Sequence, residues 1–367
     1  MDFSQELQYF KNINHYRKRD IVTTPQSIKI KINNKELINF CSNDYLALAN
    51  NADIKKTFKK AISIYGVGSG ASHLVGGHFE IHEKLEQELA EFSGYEKVLL
   101  YSTGYMANLG VLSALKNNLN WIVQDRLNHA SIIDANLLAG FAIRRYHHND
   151  ISSLEKKISN LDGQGLIVSD LVFSMDGDRV DVNKINKVAK AKNAFLMLDD
   201  AHGFGIFKNP KNIDIYMATL GKACATMGSF IAGSRDFIEY LIQKSRPYIY
   251  TTAIPPAICA ATLKSLEIIK TNIQQDKLFA NIDYFKKCAN ELDIKFMHSD
   301  SAIQPLIIGD SKKALNLSTD LFKKGFYVKA IRPPTVQKNT ARLRFTLSAG
   351  HNKNHINKLF EALNALV

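Results

Sequence analysis

Two hydrophobic periods alternate along the middle of this chain, from Tyr95 to Asp200. Short apolar runs, each typical of a buried strand, occur at KVLLYS, WIVQD, AIRRYHH, GLIVSDLVF and FLMLDD. The segments between them place an apolar residue at every third or fourth position, as in ISSLEKKISNL, and this spacing is typical of an amphipathic helix. Strands that alternate with helices predict an α/β domain built on a mostly parallel sheet with helices on both faces.

The pattern changes on both sides of this region. Residues 27–40, SIKIKINNKELINF, alternate around an Asn-Asn pair and predict a β-hairpin. Beyond Gly233, an amphipathic helix is predicted to run toward Pro255 and Pro256, and short helices follow, with strands predicted at IKFMHS, AIQPLIIGD, YVKAIR and ARLRFTL. We expect three parts: an N-terminal segment with a helix and a hairpin (1–42), a large α/β domain (43–250) and a small α+β domain (251–367).

Composition limits the class of protein. The chain has 367 residues, 46% of them hydrophobic, which is enough for one large domain with a smaller one attached. No apolar run reaches the roughly 18 residues that span a bilayer, and the N-terminus has no apolar signal segment. The four cysteines are far apart, which excludes CxxC spacing and favours reduced thiols. We therefore expect a cytoplasmic protein that does not cross a membrane.

The net charge of +12 has three interpretations. Nucleic-acid binding would need a dense basic stripe with interleaved aromatic residues, and the only dense cluster, Tyr16 to Arg19, is short, so no nucleic-acid partner is expected. A lysine-rich composition without a special partner is the second interpretation, because net charge determines solubility and association and not the fold. The third is electrostatic steering of an acidic partner, such as a substrate carried on an acidic protein.

Two apolar runs end in polar residues that suggest chemistry. FLML is followed by Asp199, Asp200 and His202, and IYMATL is followed by Gly221 and Lys222. If both runs are neighbouring parallel strands, these side chains share the carboxyl edge of a sheet, where ligands bind in α/β folds. A desolvated lysine can act as a nucleophile that forms a Schiff base. Pyridoxal phosphate sites combine such a lysine with a carboxylate at the ring nitrogen.

Other interpretations of Lys222 stay open at this stage. A surface lysine after a glycine turn is the simplest. A nucleotide-binding P-loop is excluded, because that motif needs a glycine where Tyr216 stands and a serine or threonine where Ala223 stands. A metal site is not expected at His78 and His82, since their spacing differs from that of the zinc-protease motif.

Two further strand ends are followed by candidate ligand-binding residues. After VLLYS, Gly104 opens a helix and offers free N–H groups to a phosphate, although capping of that helix by Ser102 or Thr103 explains the segment equally well. After WIVQD comes His129, which is either a loop histidine or an imidazole that lies on a flat cofactor ring.

These segments together resemble a known family. SNDYLAL, GVGSGASHLVGG, STGYMAN, NHASIIDA, VFSMDGD, DDAHGFG, TLGKA, YTTAIPPA, SAIQPL, AIRPPTV and TARLRFTLSA occur in family order over nearly the whole chain. The chain resembles the α-oxoamine synthases, which are pyridoxal phosphate enzymes of fold type I, the aspartate aminotransferase fold. That resemblance implies a large domain with a mostly parallel sheet and a smaller α+β C-terminal domain.

The resemblance also implies roles for individual residues. Lys222 would bind pyridoxal 5′-phosphate, Asp199 would pair with its ring nitrogen, His202 would approach its phenolic oxygen and His129 would stack on its ring; these four are the implied catalytic residues. The remaining implied cofactor contacts are Gly104, Tyr105, Ser174 and Thr219, with Thr251 or Thr252 supplied by the neighbouring subunit. The implied substrate contacts, besides His129, are Arg17, Asn43, Thr335 and Arg344, of which Arg344 would pair with the amino acid's carboxylate.

Within the family, SAIQPL and the TARLR segment are most similar to the branch that serves biotin biosynthesis. That branch implies condensation of L-alanine with a pimeloyl thioester, carried on acyl carrier protein or coenzyme A, by a homodimer with shared active sites. The alternative is another α-oxoamine synthase, which would join glycine to an acyl-CoA. Without the resemblance, Arg342 and Arg344 could equally be solvent-facing residues of an edge strand.

Overall fold

The computed structural model describes residues 1–366, which form two compact units. Among these residues, the first unit comprises 1–50, 175–178 and 272–366, and the second comprises 51–174 and 179–271. The α-helices in residues 1–366 are α1 (Ser4–Asn12), α2 (Ala52–Tyr65), α3 (Glu80–Ser93), α4 (Gly104–Ala114), α5 (Ala130–Leu138), α6 (Ile151–Ile158), α7 (Val182–Ala191), α8 (Arg235–Lys244), α9 (Arg246–Ile249), α10 (Pro256–Ile269), α11 (Ile273–Glu291), α12 (Ser311–Lys323) and α13 (Lys353–Asn364).

The β-strands of the same residues are β1 (Lys29–Ile32), β2 (Lys35–Asn39), β3 (Lys97–Tyr101), β4 (Trp121–Asp125), β5 (Arg144–Tyr146), β6 (Gly165–Asp170), β7 (Phe195–Asp199), β8 (Ile215–Thr219), β9 (Ser229–Gly233), β10 (Ile303–Gly309), β11 (Phe326–Tyr327), β12 (Lys329–Ile331) and β13 (Ala341–Thr346).

The second unit is built on a seven-stranded sheet with the strand order β3-β9-β8-β7-β6-β4-β5. β9 pairs antiparallel with both of its neighbours, and every other pairing is parallel. The predicted, mostly parallel sheet is therefore confirmed. β4 and β6 are buried along their whole length, which explains why they were recognisable as continuous apolar runs.

The parallel strands give this sheet one functional edge. β4, β6, β7 and β8 have the same direction, so their carboxyl ends, at Asp125, Asp170, Asp199 and Thr219, reach the same side of the sheet. The strand register places specific residues side by side at this edge: Asp170 of β6 is paired with Asp199 of β7, and Asp199 is paired with Met217 of β8. Residues that follow these strand ends are therefore brought together, as the sequence pattern predicted.

Helices complete the second unit. α10 packs against α2 and α3, so residues 251–271, which the sequence analysis placed with the C-terminal domain, lie in this unit. Its buried side chains are mainly aliphatic, and α10 contributes Leu266 and Ile269 to them. The division into residues 1–42, 43–250 and 251–367 stays a prediction.

The first unit contains two three-stranded sheets, β1-β2-β11 and β10-β13-β12. The predicted hairpin is confirmed: β1 and β2 pair antiparallel, and Asn33 and Asn34 form the turn with φ of 49° and 60°. Asparagine adopts this left-handed conformation more readily than most residues, which is why an Asn-Asn pair between alternating strands is informative.

One predicted strand is wrong. Residues 294–299, IKFMHS, lie outside the strands, and the N–H of Met297 donates to the carbonyl of Pro305 at 2.9 Å. Phe296 packs against the rings of Phe285 and Phe345, with centroids 4.9 and 5.6 Å away. The alternating pattern therefore reflects burial of one side of an extended segment and not strand pairing.

Among residues 1–366, none of the helices combines the length and the apolar character that crossing a bilayer requires.

Candidate active site

A cavity of about 170 Å³ lies at the carboxyl edge of the seven-stranded sheet. Residues from the ends of three parallel strands, β6, β7 and β8, and from the starts of two helices, α4 and α5, line it. They are Gly104, Tyr105, His129, Ser131, Asp170, Val172, Ser174, Asp199, Ala201, His202, Met217, Thr219 and Lys222. The cavity therefore collects one amine, two carboxylates, two imidazoles and several hydroxyl groups.

Asp199 ends β7 and is almost completely buried. Its Oδ1 accepts a hydrogen bond from the N–H of Ala201 at 3.0 Å, and its Oδ2 accepts one from the Asn108 side-chain amide at 2.9 Å. Hydrogen bonds from two N–H groups stabilise a carboxylate that has been removed from water. The arrangement provides a fixed negative charge on the cavity wall.

Lys222 lies in the short connection between β8 and β9. Within this connection, residues 222–225 form a turn in which the N–H of Ala225 donates to the Lys222 carbonyl at 2.9 Å, and Ala225 has a positive φ of 57°. Because β7 and β8 are neighbours, Lys222 and Asp199 line the same cavity. Lys222 is thus placed beside a buried carboxylate and is not a lysine on an open surface; its chemical role stays a prediction.

Gly104 and Tyr105 are the first two residues of α4. The side chain of Thr103 caps this helix by accepting the N–H of Met106 at 3.2 Å, so capping and phosphate binding can operate together. The cap uses the third N–H of the helix and leaves those of Gly104 and Tyr105 at the positive end of the helix dipole. A Cβ on Gly104 would lie 2.7 Å from Met217 Cε and 2.9 Å from Thr219 Cγ2, so any larger residue would require these side chains to move.

His129 precedes α5 and is held from both sides. Its backbone N–H donates to Asp170 Oδ2 at 3.1 Å, and its Nδ1 accepts the N–H of Ser131 at 3.3 Å. Asn128 fastens the same loop to β6 by donating to the Val168 carbonyl at 2.9 Å. Burial lowers the pKa of the imidazole, so His129 is neutral near pH 7. A neutral ring with a fixed orientation is suited to stacking on an aromatic cofactor.

Two further buried carboxyl groups, those of Asp170 and Asp200, differ in position. Asp170 lines the cavity, and burial, together with the neighbouring Asp199, raises its pKa well above the usual value. Asp200 points away, accepts the Tyr216 hydroxyl at 2.7 Å, and has its pKa raised by burial to about 7. Asp200 is therefore part of the core beneath the site.

The cavity brings together eight residues that the resemblance implied: Gly104, Tyr105, His129, Ser174, Asp199, His202, Thr219 and Lys222. Thr251 and Thr252 do not line it; Thr252 forms an isolated bridge with Ser72 in the same unit. This position leaves their proposed contact with a neighbouring subunit as a prediction.

The implied substrate residues other than His129 lie in the first unit and form two pairs. Arg17 donates to the Thr335 hydroxyl at 3.4 Å. Both terminal nitrogens of Arg344 donate to Asn43 Oδ1 at 3.3 Å, and one of them also donates to Thr346 at 3.0 Å. The structure thus groups these residues in pairs, while their substrate contacts stay predictions.

The edge-strand interpretation of Arg342 and Arg344 is wrong. β13 is the central strand of its sheet, and both arginines are buried. Arg342 forms an ion pair with Asp176 at 2.6 Å and donates to the Met175 carbonyl at 3.2 Å. Arg342 therefore fastens residues 175–178 within the first unit.

Sequence reasoning missed three residues of this region: Ser131, Asp170 and Asn108. Asp170 ends β6, but the predicted strand GLIVSDLVF continues to Phe173, so the sequence pattern did not mark Asp170 as a residue at a strand end. Ser131 and Asn108 stand inside the NHASIIDA and STGYMAN segments, but both are helical residues with no local sign of function. Their roles follow only from the hydrogen bonds that the fold creates.

The residues of this cavity fit pyridoxal phosphate. The chemistry of the donor set matches the molecule: an amine for the aldehyde, a carboxylate for the ring nitrogen, and two helix N–H groups with hydroxyls for the phosphate. The absence of a Cβ at Gly104 supports the same conclusion, because the helix start approaches the end of β8 closely.

A second histidine cluster lies on α3 and the segment before it. Both ring nitrogens of His82 contact backbone groups: its Nδ1 accepts the N–H of Phe79 at 2.9 Å, and its Nε2 contacts the Ile254 carbonyl at 2.6 Å. His78 contacts Glu83 at 3.4 Å. These contacts give His82 a structural role. The expectation that the protein needs no metal stays a prediction.

Comparison with known proteins gives a consistent result. The family model described as aminotransferase class I and II matches residues 35–363. The curated 8-amino-7-oxononanoate synthase of Saccharophagus degradans is 45% identical, and the match covers 99% of this chain and 95% of that protein.

Solved structures are similar over nearly the same range. A crystal structure of 8-amino-7-oxononanoate synthase from Francisella tularensis has a TM-score of 0.78 and 30% identity, covering 90% of this chain and 97% of that one. Serine palmitoyltransferase from S. paucimobilis, with a bound aldimine of pyridoxal phosphate and myriocin, has a TM-score of 0.92 and 25% identity, covering 99% of this chain and 96% of that one. The predicted fold type and cofactor are confirmed by these similarities.

Proposed function

We propose that this chain, which belongs to the aminotransferase class I and II family and within it to the 8-amino-7-oxononanoate synthases, condenses L-alanine with a pimeloyl thioester. The products are 8-amino-7-oxononanoate, CO2 and the free thiol carrier, and the reaction is a step of biotin biosynthesis. The observation that carries the proposal is the cavity in which Lys222 and Asp199, from neighbouring strands, lie together with His129 and His202.

The chain's own residues would hold the cofactor as follows. Asp199 would accept a hydrogen bond from the ring nitrogen and stabilise its positive charge, because its carboxylate is already held by two N–H donors. The N–H groups of Gly104 and Tyr105 would bind the phosphate at the start of α4. The remaining implied contacts are His129 on the ring face, His202 at the phenolic oxygen, and the hydroxyls of Ser174 and Thr219.

The reaction needs a base and a stabilised negative charge. When bound, pyridoxal phosphate supplies an electron sink for the charge that develops at Cα of the amino acid. Lys222 Nζ is the group that attaches the cofactor, and as a neutral amine it is suited to accept the Cα proton. A bond then forms between Cα and the pimeloyl carbonyl carbon, the thioester C–S bond breaks, and the thiol leaves with a proton. Loss of the carboxyl group as CO2 is followed by return of a proton to Cα.

Arg344 is the residue that we propose for the carboxylate of L-alanine. Its guanidinium is buried and oriented by Asn43 and Thr346, which fixes the plane in which a second acceptor would have to lie. Arginine binds carboxylates through two parallel N–H···O bonds, so it holds the amino acid in a defined orientation. Orientation of the Cα–H bond is what proton transfer requires.

The protein is further proposed to act as a homodimer in the cytoplasm. Thr251 or Thr252 would donate to the phosphate bound in the neighbouring subunit, and Thr252 is exposed in the single chain. The four cysteines are free, which suits a reducing compartment. The acyl donor would be a pimeloyl thioester of acyl carrier protein or of coenzyme A.

A second candidate activity belongs to the same family. The similarity to serine palmitoyltransferase over 99% of the chain favours considering another amino acid and another acyl chain. In that case the protein would be an α-oxoamine synthase that joins glycine or serine to an acyl-CoA.

Titration of the purified holoenzyme separates the candidates. L-Alanine, glycine and L-serine are added in turn while cofactor absorbance is recorded, and pimeloyl-CoA or an acetyl- or palmitoyl-CoA control follows. We expect L-alanine with the pimeloyl donor to give CO2 and a product with the mass of 8-amino-7-oxononanoate. Faster turnover of glycine or serine with another acyl-CoA would contradict the proposed substrates while retaining the family chemistry.

A further inference from the structure

The two cofactor-facing residues Asp199 and His129 are connected by one buried side chain. Asn108 lies on α4 and is completely buried. Its Nδ2 donates to Asp199 Oδ2 at 2.9 Å and to Ser131 Oγ at 2.8 Å. Ser131 Oγ in turn lies 2.7 Å from His129 Nδ1. One amide group therefore stands between the carboxylate at one side of the cavity and the imidazole at another.

The direction of each hydrogen bond follows from chemistry. A carboxylate only accepts, so the nitrogen of the Asn108 amide and not its oxygen must face Asp199. The second hydrogen of the same nitrogen occupies a lone pair of Ser131 Oγ. The backbone N–H of Ser131 donates to His129 Nδ1, so that nitrogen carries no proton when the ring is neutral. Because Nδ1 carries no proton, it accepts from the Ser131 hydroxyl as well as from the Ser131 backbone N–H. The single proton of neutral His129 is then on Nε2.

We propose that Asn108 is a positioning residue that acts on both cofactor-facing groups: directly on Asp199, and through Ser131 on His129. Its amide stabilises the charge of Asp199 and orients the Ser131 hydroxyl, which fixes the tautomer and the plane of the His129 ring. The proposal rests on the proposed use of pyridoxal phosphate, but not on the identity of the amino acid or of the acyl donor. The complete burial of Asn108 strengthens it, because hydrogen bonds away from water are not exchanged for solvent.

Three substitutions distinguish the effect of Asn108 on Asp199, here called the direct arm, from its effect on His129 through Ser131, the indirect arm. Asn108→Leu removes both donors at nearly constant volume, and Ser131→Ala breaks only the arm to His129. Asn136→Leu on α5 is the matched control, since Asn136 is equally buried and its side-chain atoms make no hydrogen bond within residues 1–366. Asn108→Asp is the second variant at the same position and keeps the shape of the side chain if the leucine variant does not fold.

Cofactor affinity tests the direct arm. The dissociation constant of pyridoxal phosphate from the full-length protein should rise about tenfold or more in Asn108→Leu, because a charge-assisted hydrogen bond to Asp199 is lost. Ser131→Ala should change it less than about threefold. A rise in Asn108→Leu no larger than that in Asn136→Leu would overturn this arm.

The titration of His129 tests the indirect arm. NMR of the full-length holoenzyme with 15N-labelled histidine reports the protonation of each ring nitrogen. We expect an unprotonated Nδ1 in the wild type, and a midpoint that moves by about half a pH unit or more in Asn108→Leu and Ser131→Ala. The charged groups around His129 are Asp134, Asp170, Asp199 and Lys222; none of them is substituted, and Asp199 loses a hydrogen bond only in the Asn108 variants.

A double variant decides whether the arm runs through Ser131. In the Ser131→Ala background, Asn108→Leu should move the His129 midpoint less than it does in the wild-type background, because the connecting hydroxyl is gone and only the effect through Asp199 remains. In Asn108→Asp the Ser131 hydroxyl turns toward the new carboxylate, so the midpoint should rise. An undiminished effect of Asn108→Leu in the Ser131→Ala background, or a wild-type Nδ1 that carries the proton, would overturn the proposal. None of these measurements uses L-alanine or a thioester, so they fail or succeed independently of the substrate assignment.

Discussion

At the scale of single residues, Lys222 has the most direct consequence. Lys222→Ala removes the amine that we propose attaches the cofactor and accepts the Cα proton, so turnover should fall by about a thousandfold or more. In the wild type, borohydride should fix the cofactor to the peptide that contains residue 222. Peptide mapping by mass spectrometry checks this.

Lys187→Ala is the matched control, because Lys187 is exposed on α7, away from the cavity. It should retain full turnover and the same labelled peptide. Label on any other lysine, or wild-type turnover in Lys222→Ala, would contradict the assigned site.

Substitution of Arg344 should affect substrate binding and not cofactor binding, because we propose that this residue binds the carboxylate of L-alanine. Arg344→Lys keeps the charge but loses the planar pair of donors, so the KM for L-alanine should rise about tenfold to a hundredfold. Cofactor absorbance should not change. Steady-state kinetics with varied L-alanine measures the effect.

Arg342→Lys, at an equally buried position of β13, provides the comparison. Arg342 is already occupied by Asp176, so its substitution should lower the melting temperature and leave the KM for L-alanine within about threefold. If both variants raise the KM alike, Arg344 has no special role in binding the carboxylate.

At the scale of elements, α3 carries a buried acid with a pH-dependent effect on stability. Glu86 is buried against β3, where its Oε1 accepts the N–H of Leu100 at 2.9 Å. Burial raises the pKa of Glu86 to about 8. Between about pH 4.5 and pH 8, the unfolded chain loses this proton while the folded chain keeps it. Stability should therefore fall as the pH rises through this window, by at most about 1.4 kcal/mol per pH unit.

Glu86→Gln should flatten this part of the profile, since an amide keeps the acceptor for Leu100 and cannot ionise. Melting temperatures of the holoenzyme at several pH values between 5 and 8 test this. Glu91→Gln, an exposed position on the same helix, should retain the wild-type slope. An unchanged slope in Glu86→Gln would show that other groups cause the pH dependence.

The elements also show what the sequence could predict. Strands buried on both faces leave continuous apolar runs, so β4, β6, β7 and β8 were recognisable, together with the polar residues that follow them. β9 is a five-residue strand directly after Gly228 and was not recognised. Arg344 alternates with apolar residues, but it lies on a central strand with both faces covered, which periodicity alone cannot distinguish from an edge strand.

The residues of the candidate site also fall into two groups, those that a local sequence signal identifies and those that only the fold reveals. Asp199, His129 and Lys222 follow apolar strands, and this position is a local signal. Asn108 carries no such signal, because its importance depends on a buried contact with Asp199, 91 positions away in the chain. Tertiary hydrogen bonds of this kind become visible only when the fold is known.

At the scale of the whole molecule, the net charge of +12 bears on the identity of the acyl donor. Four lysines, Lys55, Lys56, Lys59 and Lys60, are exposed on α2 alone, so the charge is presented to solvent. A strongly charged surface accelerates the encounter with an oppositely charged protein, and salt suppresses that acceleration. If the pimeloyl group arrives on an acidic acyl carrier protein, the charge has a function beyond solubility.

The rate with each donor as a function of salt tests this function. With a carrier-protein donor, kcat/KM should fall about tenfold or more between roughly 0.05 and 0.5 M salt, because the Debye length falls from above 10 Å to a few ångströms. Pimeloyl-CoA should respond less, and the pimeloyl thioester of an uncharged thiol least of all. An equal response to salt with all three donors would mean that the positive charge does not select the carrier.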